Sequence, residues 1–156
     1  MEAIKGVLKE VDELCVVIGS AQYSHRKDNP FTAGERVTMI RKALEEAEIP
    51  AARWLIIPVP DVHVHMVWVA EVVGYVPKFD IVYSNEPLTK RLFLEAGFKV
   101  KPFPLHKRKV YSATEIRERI LKRKEWKTLV PKSVVNIIEE IGGVSRLQEL
   151  AGTDKN

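Results

Sequence analysis

The chain has little cysteine: a single Cys15 in its 156 residues. That excludes an internal disulfide framework and a cysteine-built zinc site. Flanked as Leu14-Cys15-Val16-Val17-Ile18, the thiol reads as a buried, inert side chain. Long apolar runs are lacking too. Stretches such as Met66–Ala70 stop far short of the roughly 18–20 residues that a membrane span needs. The opening Met1-Glu2-Ala3-Ile4-Lys5 begins with an acid and has no signal-peptide core. A reduced, cytoplasmic protein is expected. No charge of one sign dominates: 25 basic residues against 21 acidic give +4. This mild excess permits an anionic ligand without demanding nucleic acid, and no RNA-recognition motif accompanies the basic segments at His106-Lys107-Arg108-Lys109 and 117–127. Repeats, low-complexity tracts and linkers are also missing, so a single domain over 1–156 is expected.

What is present is alternation. Ala3–Leu14 has helical spacing at Ile4, Leu8 and Val11, and Cys15–Ile18 reads as a buried strand ended by Gly19. Asn29-Pro30 marks a loop, and Thr32-Ala33-Gly34-Glu35 is a capping box opening a helix that buries Val37, Ile40, Leu44 and Ala47 and stops by Pro50. Trp54–Ile57 is the next strand, closed by Pro58 and Pro60. After a loop through Asp61 and His65 comes a helix with Val69, Val72, Val73 and Val76 on one side. Asp80–Ser84 is a strand, Pro87 starts a helix ending at Gly97, and Phe98–Val100 is a short strand. Ser112-Ala113-Thr114-Glu115 is a second capping box. Val130-Pro131 opens the last main helix, with Val134, Ile137, Ile138 and Ile141 inward. Alternating strands and helices predict a mostly parallel sheet flanked by helices, with ligands outside the carboxyl ends of its strands. The loops after Ile18, Ile57 and Tyr83 are the candidates.

Three segments bear chemistry. Gly19-Ser20-Ala21-Gln22 follows a strand. It is either a plain turn or a place where backbone and polar side chains meet a ligand. His25 beside it is either a phosphate ligand or solvated. In Tyr111-Ser112-Ala113-Thr114-Glu115-Ile116-Arg117 a helix start offers free N–H groups and a positive dipole end. Capping explains Ser112 and Glu115. It does not explain Thr114, Arg117 or the preceding basic run, which would suit phosphate. Asp61, His63, His65 and Trp68 form a third cluster. Spacings of two in a loop do not define a metal set, so no zinc site is expected. Trp68 either stacks on a flat ring or packs in the core.

Taken together, Gly19–Gln22, Ser24-His25, Asn29–Arg36, Ile57–Asp61, Trp68-Val69, Tyr111–Arg117, Leu129–Val135 and Ile138–Val144 resemble archaeal nicotinamide mononucleotide adenylyltransferases. The resemblance runs from Leu8 to Leu150. It implies a Rossmann-like α/β fold of the nucleotidylyltransferase superfamily. It implies joining of ATP and nicotinamide mononucleotide into NAD and pyrophosphate, with Mg²⁺ or another divalent cation, in a homo-oligomer that binds neither nucleic acid nor membrane. By the same resemblance Ser112, Thr114 and Arg117 hold ATP phosphates, Ser20 and Asp61 meet the nicotinamide nucleotide, and Trp68 stacks on its ring. Direct attack by one phosphate on another needs no protein nucleophile, so positioning and charge stabilisation suffice.

Departures from the pattern accompany it. The family opens with a strand and a Gly-Arg-Phe-x-Pro-x-His-x-Gly-His loop that grips ATP, and Met1-Glu2-Ala3-Ile4 resembles the residues directly after the second histidine of that loop. The catalytic residues are therefore not assigned. An N-terminally truncated domain, begun at an internal methionine, is expected, with two half-sheets whose inner edges are open. His65 replaces an Asn of the relatives, and Ser84-Asn85-Glu86-Pro87 replaces Ser/Thr-Gly-Asn. A catalytically impaired nucleotide-binding paralogue and an adenylyltransferase for another phosphate acceptor are the alternatives.

Overall fold

The computed structural model describes residues 1–104 and 111–153. The basic run His106–Lys109 lies outside the described residues. The elements follow one another as α1 (Glu2–Val7), β1 (Leu14–Ile18), α2 (Ala33–Glu46), β2 (Trp54–Pro58), α3 (Trp68–Tyr75), β3 (Ile81–Tyr83), α4 (Pro87–Glu95), β4 (Lys99–Lys101), α5 (Ala113–Leu121), α6 (Lys132–Glu140) and α7 (Gly143–Thr153).

Both strand pairs are parallel, as the alternation predicts. β1 lies on β2 in the register Leu14↔Trp54 to Ile18↔Pro58, with α2 as the crossover. β3 lies on β4 from Ile81↔Lys99 to Tyr83↔Lys101, with α4 as the crossover. The two pairs do not join; each is a two-stranded sheet. An open cleft of about 820 Å³ lies along Cys15, Val16 and Val17 of β1 and Ile81, Val82 and Tyr83 of β3. The expected half-sheets are thus present, and their open edges explain a departure. β1 reads as a buried strand, yet only Ile18 is buried and Val17 is 37% exposed. Cys15, read as buried, is half-buried and borders this cleft; burial, helped by the Glu13 charge, raises its thiol pKa. The Glu10 carboxylate reaches the β3–β4 sheet, accepting from the Tyr83 hydroxyl at 3.1 Å and Lys101 Nζ at 2.6 Å.

Other boundaries move for identifiable reasons. The first helix stops at Val7 although its apolar spacing continues. Past Val7 the bonds tighten to i→i−3, with Lys9 N–H on the Gly6 carbonyl at 3.3 Å and Glu10 N–H on the Val7 carbonyl at 2.8 Å, and the Arg53 guanidinium fastens the segment that follows by the carbonyls of Leu8, Val11 and Asp12 at 2.8, 2.6 and 2.6 Å. The Thr32/Glu35 capping box forms in full, with Glu35 N–H on Thr32 Oγ1 at 3.1 Å and Thr32 N–H on Glu35 Oε2 at 2.8 Å. The second box is only half-formed: Ser112 caps the Glu115 N–H, but Glu115 accepts from Arg119 Nε at 2.7 Å instead of reaching back. Pro131 stands at the N-cap of α6 and brings no side-chain cap. Glu46 at the end of α2 caps that helix from outside, accepting from the N–H groups of Lys132 and Ser133 at 3.1 and 2.7 Å. Val73 is 46% exposed, so only Val69 and Val72 of the α3 stripe are core.

Three apolar clusters hold the elements. Met39 of α2 packs with Ile116, Ile120, Trp126, Val135, Ile138 and Leu147, binding α2 to the C-terminal helices. Val59, Val69, Val72 and Phe93 form a second cluster, where the Phe79 and Phe98 rings stack at 4.9 Å. Leu8, Leu44 and Ile49 form a third, packed against Trp54 and Ile56.

Candidate functional site

The loops after β1 and β2 meet, and each bond has a local cause. The ladder continues past the strand ends, with Val59 N–H on the Ile18 carbonyl at 2.9 Å and Ala21 N–H on the Val59 carbonyl at 3.2 Å. This brings Asp61 over the turn at Ser20. One Asp61 carboxylate oxygen accepts the Ser20 N–H at 3.0 Å and the other accepts the Ser20 hydroxyl. Gln22 clamps the backbone of Asp61 from both sides, donating to its carbonyl at 2.9 Å and accepting its N–H at 2.8 Å. Ser20 and Asp61, which the sequence offers 41 positions apart, are one unit.

The turn's strained residue is Ser20, not Gly19. Ser20 has φ +53, and His25 in the same loop has φ +54. Such left-handed conformations cost a non-glycine residue on the order of 1–3 kcal/mol and persist where surrounding bonds fix them. Here the bonds are those of Asp61 on one side and of Arg36 on the other. Arg36 donates to the Gly19 carbonyl at 2.8 Å and to the Ser20 carbonyl at 2.9 Å. Gly19 needs no glycine for space, since a Cβ there would touch Asp61 Oδ1 at an ordinary 3.8 Å. His25 Nδ1 lies 2.9 Å from Ser24 Oγ.

Trp68 stands at the start of α3. Its ring packs on the Val59–Phe93 cluster and also borders an open cavity of about 440 Å³ shared with Tyr23, Asp61, His63 and His65. Core packing and ring stacking, the two readings of the sequence, are therefore compatible in one side chain. His65 also bears on Glu86, whose carboxyl is held below its ordinary pKa first by the backbone N–H groups of Thr89 and Leu88 and only last by His65. That carboxylate is the N-cap of α4.

The second group of candidates lies at the start of α5. Ser112 is committed to the cap. Thr114 is exposed, and Arg117 NH2 donates to its hydroxyl at a long 3.4 Å. Arg117 has no carboxylate partner among the described residues. The structure thus brings Thr114 and Arg117 together at the N-terminal end of α5, Arg117 one turn further in, and Ser20, Asp61 and Trp68 together between the first two strand-end loops. It gives no bond between the two groups. Among the described residues, no three His, Cys, Asp or Glu side chains gather as a metal set, and no helix is long and apolar enough to cross a membrane.

Arg36 is the site residue that sequence reasoning missed. It stands directly after a capping box, and nothing local in the sequence assigns it a role. Only the 17-residue return to Gly19 shows its role.

These features define a parallel α/β protein with its polar side chains gathered beyond the carboxyl ends of β1 and β2. The chain belongs to the cytidylyltransferase-like family, whose model matches residues 1–119. It is 48% identical over 156 residues to a nicotinamide-nucleotide adenylyltransferase of Archaeoglobus fulgidus, covering 98% of this chain and 90% of that one. It is 50% identical over 153 residues to one of Methanosarcina barkeri, covering 98% and 87%. Among solved structures it is similar to a bifunctional NMN adenylyltransferase/ADP ribose pyrophosphatase from Francisella tularensis, with a TM-score of 0.77 at 17% identity, covering 98% of this chain and 48% of that chain. The same protein complexed with AMP and an Mn ion gives a TM-score of 0.78 at 20% identity, covering 97% and 47%. This chain spans about half the length of those bifunctional chains, and at such identities the likeness concerns the fold.

Proposed function

We propose that this chain transfers the adenylyl group of ATP to nicotinamide mononucleotide, giving NAD and pyrophosphate. One observation carries the reading: identity of 47–50% across 98% of the chain to proteins named nicotinamide-nucleotide adenylyltransferase. In the reaction a phosphate oxygen of the mononucleotide forms a bond to the α-phosphorus of ATP. The bond from that phosphorus to the bridging oxygen breaks, and pyrophosphate leaves with the electron pair. No side chain is alkylated or acylated, so the protein's work is to align the two phosphates and to stabilise the charge that develops between them.

The roles rest on chemistry and position. Thr114 and Arg117, with the N–H groups at the start of α5 and the Ser112 cap, present donors to the ATP phosphates together with a cation that has no carboxylate partner among the described residues. Asp61, fixed on Ser20, and Trp68 beside it form the wall that takes the nicotinamide nucleotide. A flat pyridinium ring suits an indole face. The divalent cation would travel with the triphosphate, because Mg²⁺ is commonly held by substrate phosphates and the described residues offer no cage of three acids or histidines. Homo-oligomerisation and a cytoplasmic location belong to the same proposal, and sedimentation reads the first.

The test is NAD and pyrophosphate formation in equal amounts from ATP, nicotinamide mononucleotide and Mg²⁺. Arg117→Ala should lower kcat/KM by about 30- to 1,000-fold, as lost phosphate donors do. Its melting temperature should barely move, since among the described residues the bond it loses is the 3.4 Å contact to Thr114. Calorimetric binding of ATP with no pyrophosphate released would favour a non-catalytic nucleotide-binding protein. Turnover with a different phosphate acceptor would redirect the substrate assignment. A collapsed melting temperature with activity retained would make Arg117 structural.

A further inference from the structure

We propose that Arg36 is a positioning residue for the acceptor half of the site: it sets the Gly19–Ser20 turn, and through that turn the Ser20–Asp61 contact. The inference rests on the adenylyltransferase reading only for which substrate feels the change. The positioning itself rests on geometry.

Arg36 lies on the first turn of α2, and its own N–H is spent on the Thr32 carbonyl at 3.0 Å. Its side chain returns to the end of β1 and donates to two consecutive carbonyls, Gly19 at 2.8 Å and Ser20 at 2.9 Å. A planar fork spans two acceptors in a fixed relation, which a lysine ammonium does not. With both carbonyls drawn toward Arg36, the Ser20 N–H and hydroxyl face Asp61. The Ser20 carbonyl also takes the Tyr23 N–H at 3.1 Å and approaches Asn29 Nδ2 at 3.5 Å. A residue at φ +53 is held by bonds at both ends of its peptide units.

Two further observations separate Arg36 from an ordinary surface arginine. Its Nε is buried and has no hydrogen-bond partner. No carboxylate pairs with the guanidinium among the described residues, and burial lowers its pKa against the opposing pull of Asp61. A cation kept half-desolvated, with one donor unsatisfied, is poorly explained by stability alone. Holding two carbonyls beneath a strained turn explains it. The remaining positive charge lies behind Ser20 and attracts the Asp61 carboxylate toward the turn.

The experiment compares the unsubstituted chain with Arg36→Lys, Arg36→Met, Asp61→Asn and the double variant Arg36→Met/Asp61→Asn. Amide hydrogen exchange at Ser20 and Ala21 reads the turn without any substrate. Initial rates with ATP and nicotinamide mononucleotide read the site. Arg36→Met should speed exchange of the Ser20 amide at least tenfold. It should raise the KM for nicotinamide mononucleotide by about tenfold and leave the KM for ATP within twofold. Arg36→Lys should restore part of both effects, since one carbonyl can still be reached. In the Asp61→Asn background Arg36→Met should add less than threefold, because the contact it positions is already weakened. The proposal is overturned if Ser20 exchange is unchanged in Arg36→Met. It is equally overturned if both KM values and the active fraction shift together in Arg36→Met and Arg36→Lys, the mark of a general folding role. Should the unsubstituted chain make no NAD, the functional reading fails, and the exchange data still decide whether Arg36 sets the turn.

Discussion

Arg146 of α7 should hold the start of α2 through Glu35, and the contribution should vanish in acid. Arg146 NH1 donates to Glu35 Oε2 at 2.7 Å, NH2 donates to Oε1 at 3.0 Å, and NH1 also lies 3.4 Å from the Pro30 carbonyl. The side chains are only 21% and 20% exposed. A two-pronged bond of this kind is geometrically specific. Hydrogen bonds to charged groups stabilise by about 1.5–3 kcal/mol, and partial solvent screening trims this toward about 2 kcal/mol. Arg146→Met keeps the apolar stem, removes the fork and leaves the Glu35 carboxylate, among the described residues, with Thr32 as its partner. For a chain of this length that should lower Tm by about 4–8 °C at pH 7. The sign with pH is set by Glu35. Its carboxyl is held below the ordinary value of 4.5, first by Arg146, against the opposing effect of burial, and then by Thr32. A carboxyl depressed in the folded state stabilises fully above its unfolded pKa, and that stability is lost as pH falls through the folded value. The gap between the two proteins should therefore be constant from pH 8 to about pH 5, narrow below the ordinary glutamate range and close once Glu35 is protonated in the folded state. Glu35→Gln should melt low at pH 7 and lack this pH dependence. Thermal scans by circular dichroism across pH 2.5–8 check it. A variant that melts with the unsubstituted chain at pH 7, or a gap that persists unchanged to pH 2.5, would refute the reasoning.

Two more substitutions test local packing and capping. Gly143→Ala should cost about 1–3 kcal/mol in urea unfolding, because its Cβ would lie 2.8 Å from Phe31 Cε1 and 3.1 Å from the Ile138 carbonyl oxygen, and overpacking of this kind forces neighbours to shift. Ser112→Ala should cost about 1 kcal/mol by removing the cap of α5, whereas exposed Thr114→Ala should leave unfolding unchanged and weaken ATP binding measured by calorimetry.

Legibility in the sequence followed the range of the interaction. The Thr32/Glu35 box is local and its full motif formed, while Gly97, read as a helix stop, takes φ +86 just past α4. The parallel pairing was readable because alternation of element types dictates it. What could not be read were bonds that close over many residues. Arg53 fastens the segment after α1 from 41 to 45 positions away, Glu46 caps α6 from 86 and 87, and Arg146 finds Glu35 from 111. Each looks like a solvated charge in the chain. The helix α7 was hidden because Gly142-Gly143 reads as punctuation. Gly142 does take φ +64, but Gly143 opens the next helix and is needed for its contact with Phe31. Ser20, Asp61 and Trp68 were visible as residue types in loops that the structure brings together, and the reach of Arg36 to the first of those loops was not. The left-handed turn fell on Ser20 because the Arg36 and Asp61 bonds outweigh the glycine's conformational ease.

Glu35 and Arg36 are consecutive, so their side chains leave the helix about 100° apart. They consequently serve different partners from one backbone segment. Glu35 faces α7 through Arg146, and Arg36 faces the end of β1 through the Gly19 and Ser20 carbonyls. The first turn of α2 is fixed besides by Thr32, and its neighbour Pro30 is itself a contact of Arg146. Rotation or fraying of that turn would move both partners at once. The C-terminal helix, which borders neither of the two described cavities, therefore bears on the Ser20–Asp61 geometry through two adjacent residues. Since Arg36 reaches its carbonyls only from a formed α2 start, the bonds that hold Ser20 at its left-handed φ depend on a helix that Met39 anchors to Ile138 and Leu147, far along the sequence from the turn itself.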